Sequence, residues 1–231
     1  MEQRPKKKQA SNNLQLKELK GLTTNQQQAI DYWDNTGCEC LLLHGSAGTG
    51  KTYLALSLAL STIEDQSYQK VVIIRSSVPT RDIGFLPGKP AEKVSVYEAP
   101  YHDICSELYG RGDAYGLLKS KGLIEFATTS FIRGITLRDC VIVVDEIQNM
   151  DFNEINSVIT RVGENCCIIL CGDIKQDDLT SERYREQSGI KDFMKILNNM
   201  EAVASVEFTT DDIVRSSFIR EYLIERERLG I

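Results

Sequence analysis

The chain has 231 residues, 42% of them apolar and 26% charged, which suits one globular domain with a substantial core and excludes a wholly disordered, collagen-like or fibrous protein. The formal net charge of −6 excludes a globally basic nucleic-acid coat. No run of about 18 apolar residues predicts a membrane-spanning helix, and no apolar stretch follows the first charges as a secretory signal would require. Seven cysteines, an odd number, fit reduced thiols in a cytoplasmic protein. Cys38-x-Cys40 and Cys166-Cys167 fit no zinc-site spacing, and buried structural thiols are the better reading.

Residues 1–20 are polar and lysine-rich and read as a basic, flexible N-terminal tail, able either to grip phosphates or to keep the chain soluble. Residues 21–231 read as one domain. Cys40–His44 is a buried strand, Thr52–Ile63 a helix apolar on nearly all sides, and Val71–Ile74 a second strand. Residues 90–121 are mixed and helical in parts. Leu123–Ala127, Val141–Val144, Cys167–Leu170 and Val203–Phe208 complete the strands. Phe152, Ile155, Val158, Ile159 and Val162 recur at helical spacing behind Asp151, with Glu154 completing a capping box. Phe218, Ile219, Tyr222 and Leu223 mark a last helix with a charged outer face. Continuous apolar strands separated by helices predict an α/β fold, a mostly parallel sheet with helices on both faces. Ligands in such sheets bind at the carboxyl ends of the strands, where the motifs below fall.

The segment Gly45-Ser46-Ala47-Gly48-Thr49-Gly50-Lys51-Thr52 matches G-x-x-x-x-G-K-[ST] between a strand and a helix. Its glycines let main-chain N–H groups turn inward onto phosphate oxygens, and the helix N-terminus adds partial positive charge. Lys51 is placed to reach the β- and γ-phosphates of ATP, and the Thr52 hydroxyl to ligate Mg²⁺.

Val141–Val144 runs into Asp145 and Glu146. An acidic pair at a strand end is by itself as easily a solvated turn or a helix cap. Downstream of a phosphate loop, Asp145 is expected to hold Mg²⁺ and Glu146 to act as general base on the attacking water. A small-molecule kinase needs no water-activating carboxylate here, whereas an ATP hydrolase does.

Cys167–Leu170 leads into Gly172-Asp173 and then Gln176, an amide placed to bond the γ-phosphate and lose that bond on cleavage. Gln26, in Leu22-Thr-Thr-Asn-Gln26, can bond both a donor and an acceptor on an adenine edge, yet Thr23 with Gln26, or Thr24 with Gln27, is also a helix capping box. Arg75 and Arg133 follow strands and suit a nucleic-acid backbone, a neighbouring subunit or plain solvent.

Taken in order, these motifs resemble the PhoH family of ATPases, which are similar to the first RecA-like motor lobe of superfamily 1 helicases. Besides the phosphate loop, the resemblance rests on Gly84-Phe-Leu-Pro-Gly88, Phe131-Ile-Arg-Gly134, Asp145-Glu-Ile-Gln-Asn149, Gly172-Asp173 with Gln176-Asp-Asp-Leu179, and Ile213-Val-Arg-Ser216, over roughly residues 22–225. It implies a RecA-like P-loop fold, Gln26 as adenine reader, Gln148 and Gln176 as γ-phosphate sensors, and Arg215 on the γ-phosphate. Ser216 and Ile147 stand where the family more often has histidine and alanine; neither removes a catalytic group. One phosphate loop and one lobe leave the γ-phosphate open, so a neighbouring subunit is expected to close the site in a homo-oligomeric ring, with a hexamer implied by the resemblance. The expected function is Mg²⁺-dependent ATP hydrolysis coupled to single-stranded RNA or DNA. The alternatives are an ATP-driven switch acting on a protein partner and a phosphotransferase onto a small molecule, against which Glu146 argues.

Overall fold

The computed structural model describes residues 14–35, 39–76, 90–132, 134–174 and 189–230, with backbone alone for 90–94. Gln176, the Gly84–Gly88 stretch, Arg133, Cys38 and residues 1–13 of the expected tail lie outside the described residues.

Six strands are described: β1 (Cys40–Gly45), β2 (Lys70–Arg75), β3 (Ile124–Thr128), β4 (Cys140–Asp145), β5 (Cys166–Gly172) and β6 (Val203–Phe208). They form one sheet in the order β3-β2-β4-β5-β1-β6, every pairing parallel. The helices are α1 (Thr24–Asn35), α2 (Lys51–Glu64), α3 (Pro90–Tyr109), α4 (Ala114–Ser120), α5 (Phe152–Ile159), α6 (Ile190–Leu197) and α7 (Ser217–Arg228).

Successive side chains of a strand alternate between faces, and the core divides accordingly. Leu41, Leu43, Val71, Ile73, Val141, Val143 and Ile169 are buried beneath α1 to α4. Leu42, Val72, Ile74, Ile142, Val144, Ile168 and Leu170 are buried on the other face with α5 and α6. This double burial is why the strands read as unbroken apolar runs. Both halves of the capping box expected at Asp151 and Glu154 are formed, and Ile155 and Val158 point into the core. The helix stops at Ile159, so Val162 lies beyond it. No helix among the described residues is long and apolar enough to cross a membrane.

Two segments differ from the sequence expectation. Residues 14–20 lie against the domain: Leu14, Leu16 and Leu19 pack on the core, and the Lys17 N–H donates to the Leu108 carbonyl at 3.0 Å. Three leucines at near-alternating positions supply that contact among lysines that mask it in a composition count. Helix α7 buries no residue, and Phe218 and Tyr222 are 74% and 59% exposed. The Phe218 and Tyr222 part of its apolar stripe is therefore uncovered, while Leu223 is half-buried.

Candidate functional site: the phosphate loop and the acidic strand end

The loop between β1 and α2 is shaped by glycine. Gly45, Gly48 and Gly50 all have positive φ, at 112°, 76° and 82°. At Gly45 a Cβ would run into the main chain of Phe208 on β6, where the Ser46 N–H donates to the Phe208 carbonyl at 2.7 Å. Edge strand β6 thus fixes where the loop begins. The hydroxyl of Thr49, fully buried, donates to the Ser46 carbonyl at 3.0 Å and holds the curl from within. Ala47 and Gly48 lie at its half-exposed crest. Lys51 begins α2, and its buried ammonium rests on the Ser46 carbonyl at 2.7 Å and on Asp173 Oδ1 at 2.7 Å. A carboxylate just past the end of β5 thus sits beside Lys51.

Asp145 ends β4 beside this loop. Its carboxylate is 4% exposed and accepts from the Thr52 hydroxyl at 2.9 Å and the Tyr101 hydroxyl at 2.9 Å. Burial pushes its carboxyl above the usual carboxylate range, and the two hydroxyl hydrogen bonds oppose that shift. Burial and the neighbouring Asp145 raise the Tyr101 hydroxyl far above its ordinary value, which keeps it a donor. Thr52 and Asp145 form an all-oxygen pair, one member anionic and poorly solvated. That donor set fits a hard divalent cation such as Mg²⁺.

Glu146 is the next residue and leaves the strand in the left-handed region, at φ 53° and ψ 50°. A non-glycine residue there stores on the order of 1 kcal/mol of backbone strain, a feature that gathers at functional sites. One carboxylate oxygen, Oε2, meets the Arg75 guanidinium at 2.5 Å and accepts from the Asn149 amide at 2.9 Å.

A cleft of about 760 Å³ opens over the loop, and Lys51, Thr52, Asp145, Glu146, Gln148 and Arg215 all line it. Gln148 reaches it from the turn after Glu146, and its side-chain oxygen accepts from the Asp173 N–H at 3.1 Å. Arg215 sits before α7 with its side chain packed toward Gly48. Gln26 is also at the wall. Its amide donates to the Thr49 carbonyl and accepts from the Leu22 N–H, each at 2.9 Å, while its own N–H donates to Thr23 Oγ1 at 3.3 Å. Gln26 therefore ties the start of α1 to the phosphate loop, and the helix-cap reading and the site reading fall on one residue. The structure brings together every sequence-expected site residue except Gln176, which lies outside the described residues.

Three contributors are not singled out by the sequence as site residues. Tyr101 is carried in by α3, from a region with no clear apolar periodicity. Asp173 is visible there only as the partner of Gly172 in a motif. Helix α7 leans on the loop through Leu223 against Gly48 and through the Ser46 hydroxyl, which donates to Glu227 Oε2 at 3.2 Å. Each of these contacts joins segments far apart in the chain, which no local spacing encodes.

Comparison with known proteins agrees with this geometry. A PhoH-like protein of Mycobacterium bovis is 32% identical over 207 residues, covering 89% of this chain and 57% of that protein. Protein PhoH of Escherichia coli is 32% identical over 181 residues, covering 78% of this chain and 50% of that protein. The chain spans about half the length of these curated relatives. Among solved structures, the large terminase of a thermophilic bacteriophage superposes with a TM-score of 0.54 at 13% identity, covering 88% of this chain and 49% of that one. This likeness shows a shared RecA-like P-loop fold. The family model described as PhoH-like protein matches residues 18–225, nearly the whole described domain, and the chain belongs to the PhoH family.

Proposed function

We propose that this domain is a Mg²⁺-dependent ATPase that couples hydrolysis to the binding or remodelling of single-stranded RNA or DNA. The observation that carries the reading is the Thr52–Asp145 hydrogen bond beside the phosphate loop, because it joins the two groups a metal-bound triphosphate requires. Main-chain N–H groups of Ala47 to Gly50 take the β-phosphate, and Lys51 leaves Asp173 to meet the γ-phosphate. Thr52 and Asp145 hold Mg²⁺, which when bound neutralises charge on the β- and γ-phosphates. Glu146 accepts the proton of the attacking water, Gln148 and Gln176 sense the γ-phosphate, Arg215 contacts it from the α7 side, and Gln26 turns its amide to the adenine.

The site is open on one side, and a stabilising arginine is worth about 10³–10⁵ in rate. A neighbouring copy that supplies such a charge favours a ring, with six copies the assembly the family resemblance implies. Exposed Phe131 follows edge strand β3, whereas exposed Phe218 and Tyr222 follow the opposite edge strand, β6. Apolar patches at opposite edges suit a head-to-tail contact that closes on itself. Buried thiols at Cys105, Cys140 and Cys171 support a cytoplasmic location. The same uncovered α7 stripe favours a second reading, an ATP switch that docks a protein.

ATP turnover with and without single-stranded RNA and DNA tests this function. Wild type is expected to hydrolyse ATP faster with the strand present. Lys51→Ala is expected to lose nucleotide affinity and turnover, and Glu146→Gln to bind ATP and hydrolyse it at least about 10²-fold more slowly. Turnover indifferent to polynucleotide would favour the protein-docking switch. Unchanged turnover in Glu146→Gln would remove that residue from the mechanism.

A further inference from the structure

Glu146, read above as the general base, lines the cleft, but its carboxylate is held by a cation from the side away from the phosphate loop. Strand β4 stands between β2 and β5, and the phosphate loop springs from β1, beyond β5. The group that binds Glu146 comes from the other side. Arg75 ends β2, in register with Asp145, and its guanidinium takes the Oε2 oxygen that Asn149 also takes. The Arg75 contact draws the carboxylate toward β2, and the Asn149 contact is local to its own turn. Arg75 is not among the described residues lining the cleft.

The backbone around this pair is pinned, while its side chains stay partly open to solvent. The Ser76 hydroxyl donates to both oxygens of Glu154 at 3.1 and 3.3 Å, and the Thr129 hydroxyl to Oε1 at 2.6 Å. Glu154 itself closes the capping box of α5, so the ends of β2 and β3 are pinned to one helix start. The Arg75 and Glu146 side chains remain 20% and 37% exposed.

We propose that the Arg75–Glu146 ion pair is a latch that holds the base off the nucleotide, and that a single-stranded nucleic acid opens it by drawing Arg75 onto its phosphates. The proposal rests on the reading of Glu146 as general base. A planar guanidinium at the carboxyl end of a central strand suits a phosphodiester, which it grips with two N–H groups. A strand that takes Arg75 leaves Glu146 with the single Asn149 bond, free to swing toward the γ-phosphate. Binding of the polynucleotide and speed of hydrolysis would then be coupled through one side chain.

The test is ATP turnover by Arg75→Ala with and without poly(U) and oligo(dT), alongside binding of a fluorescent ATP analogue. Loss of a half-exposed pair of this kind is expected to raise strand-free turnover about fivefold. It is also expected to abolish further stimulation by either polymer, with affinity for the analogue unchanged. Arg75→Gln, which keeps a polar head of similar reach and discards the charge, is expected to give the same two results, so a folding defect in the alanine variant does not decide the matter. Strand-free turnover that falls or stays level in the glutamine variant would overturn the latch. Stimulation that survives in either variant would overturn the trigger. Wild-type turnover untouched by both polymers would also overturn the trigger while leaving the ATPase reading intact, whereas full activity in Glu146→Gln would overturn the reading beneath it.

Discussion

Replacing Asp145 by asparagine is expected to stabilise the metal-free protein while removing its activity. The carboxylate is 4% exposed, and the Thr52 and Tyr101 hydroxyls offset only part of the cost of taking a charge out of water. An amide of the same shape keeps the Thr52 bond through its oxygen, donates through its NH₂ to the Tyr101 oxygen at the cost of that hydroxyl's own acceptor, and carries no charge. The net gain, with the lost acceptor set against the removed buried charge, is on the order of 1–3 kcal/mol. For a chain of this size each kcal/mol is worth about 2–4 °C, so the melting temperature should rise by roughly 2–12 °C in EDTA. Mg²⁺ with ADP is expected to narrow or reverse the difference, because saturation at about 100 times Kd adds about 2.7 kcal/mol to the wild type, and a neutral amide is the poorer ligand. Thermal melts of both proteins in EDTA and in Mg²⁺-ADP, in mildly alkaline buffer, make the comparison. An asparagine variant that melts at or below the wild type in EDTA would refute the claim that this buried charge is a net cost to the fold. Equal gains in Mg²⁺-ADP would remove Asp145 from the metal ligands.

Two further outcomes follow from the same geometry. Gly45→Ala places a methyl against the Phe208 main chain at a φ of 112°, and a urea titration should show a loss of at least about 2 kcal/mol; a shift under about 0.5 kcal/mol would mean that β6 moves aside freely. Asp212 is buried, which alone would raise its carboxyl, but hydrogen bonds from Thr23, the Thr209 N–H and Asn25 outweigh this and hold it below the usual range. Its stabilisation is therefore full at neutral pH and lost as pH falls through that lowered value. Asp212→Asn should cost about 1–2 kcal/mol at neutral pH. The difference should shrink below about pH 4, and a pH-independent difference would count against the charge.

The four inner strands were legible because a parallel strand covered on both faces must be apolar throughout; β3 and β6, at the ends of the described sheet, also appear where expected, though Glu125, Ser205 and Glu207 leave them half-polar. The phosphate loop was legible because glycine is the residue that tolerates its three positive φ angles. The cap at Asp151 was legible because both of its partners lie within one turn. Tyr101 was not, because its role depends on a hydroxyl meeting a carboxylate 44 positions away, while its helix shows no strong apolar stripe. The pairing of Arg75 with Glu146 was hidden for a similar reason: Arg75 was legible as a cation at a strand end, but the order of strands in the sheet decides what it faces. The exposed stripe on α7 looked like a core-facing pattern, and nothing in its spacing tells a covered helix from an uncovered one.

Strand β1, which bears the phosphate loop, touches only β5 and β6 in the sheet. Its partners begin at Cys166 and Val203, so a ribosome that has just made Cys40 must add about 160 residues before both neighbours exist. At about 5–20 residues per second, that is on the order of 10–30 s during which a short, sticky apolar ribbon waits unpaired. The nascent polypeptide therefore depends on α2, made immediately afterwards, or on a chaperone to shield that ribbon, and overproduction at high temperature should send this protein into inclusion bodies before it sends it astray in any other way.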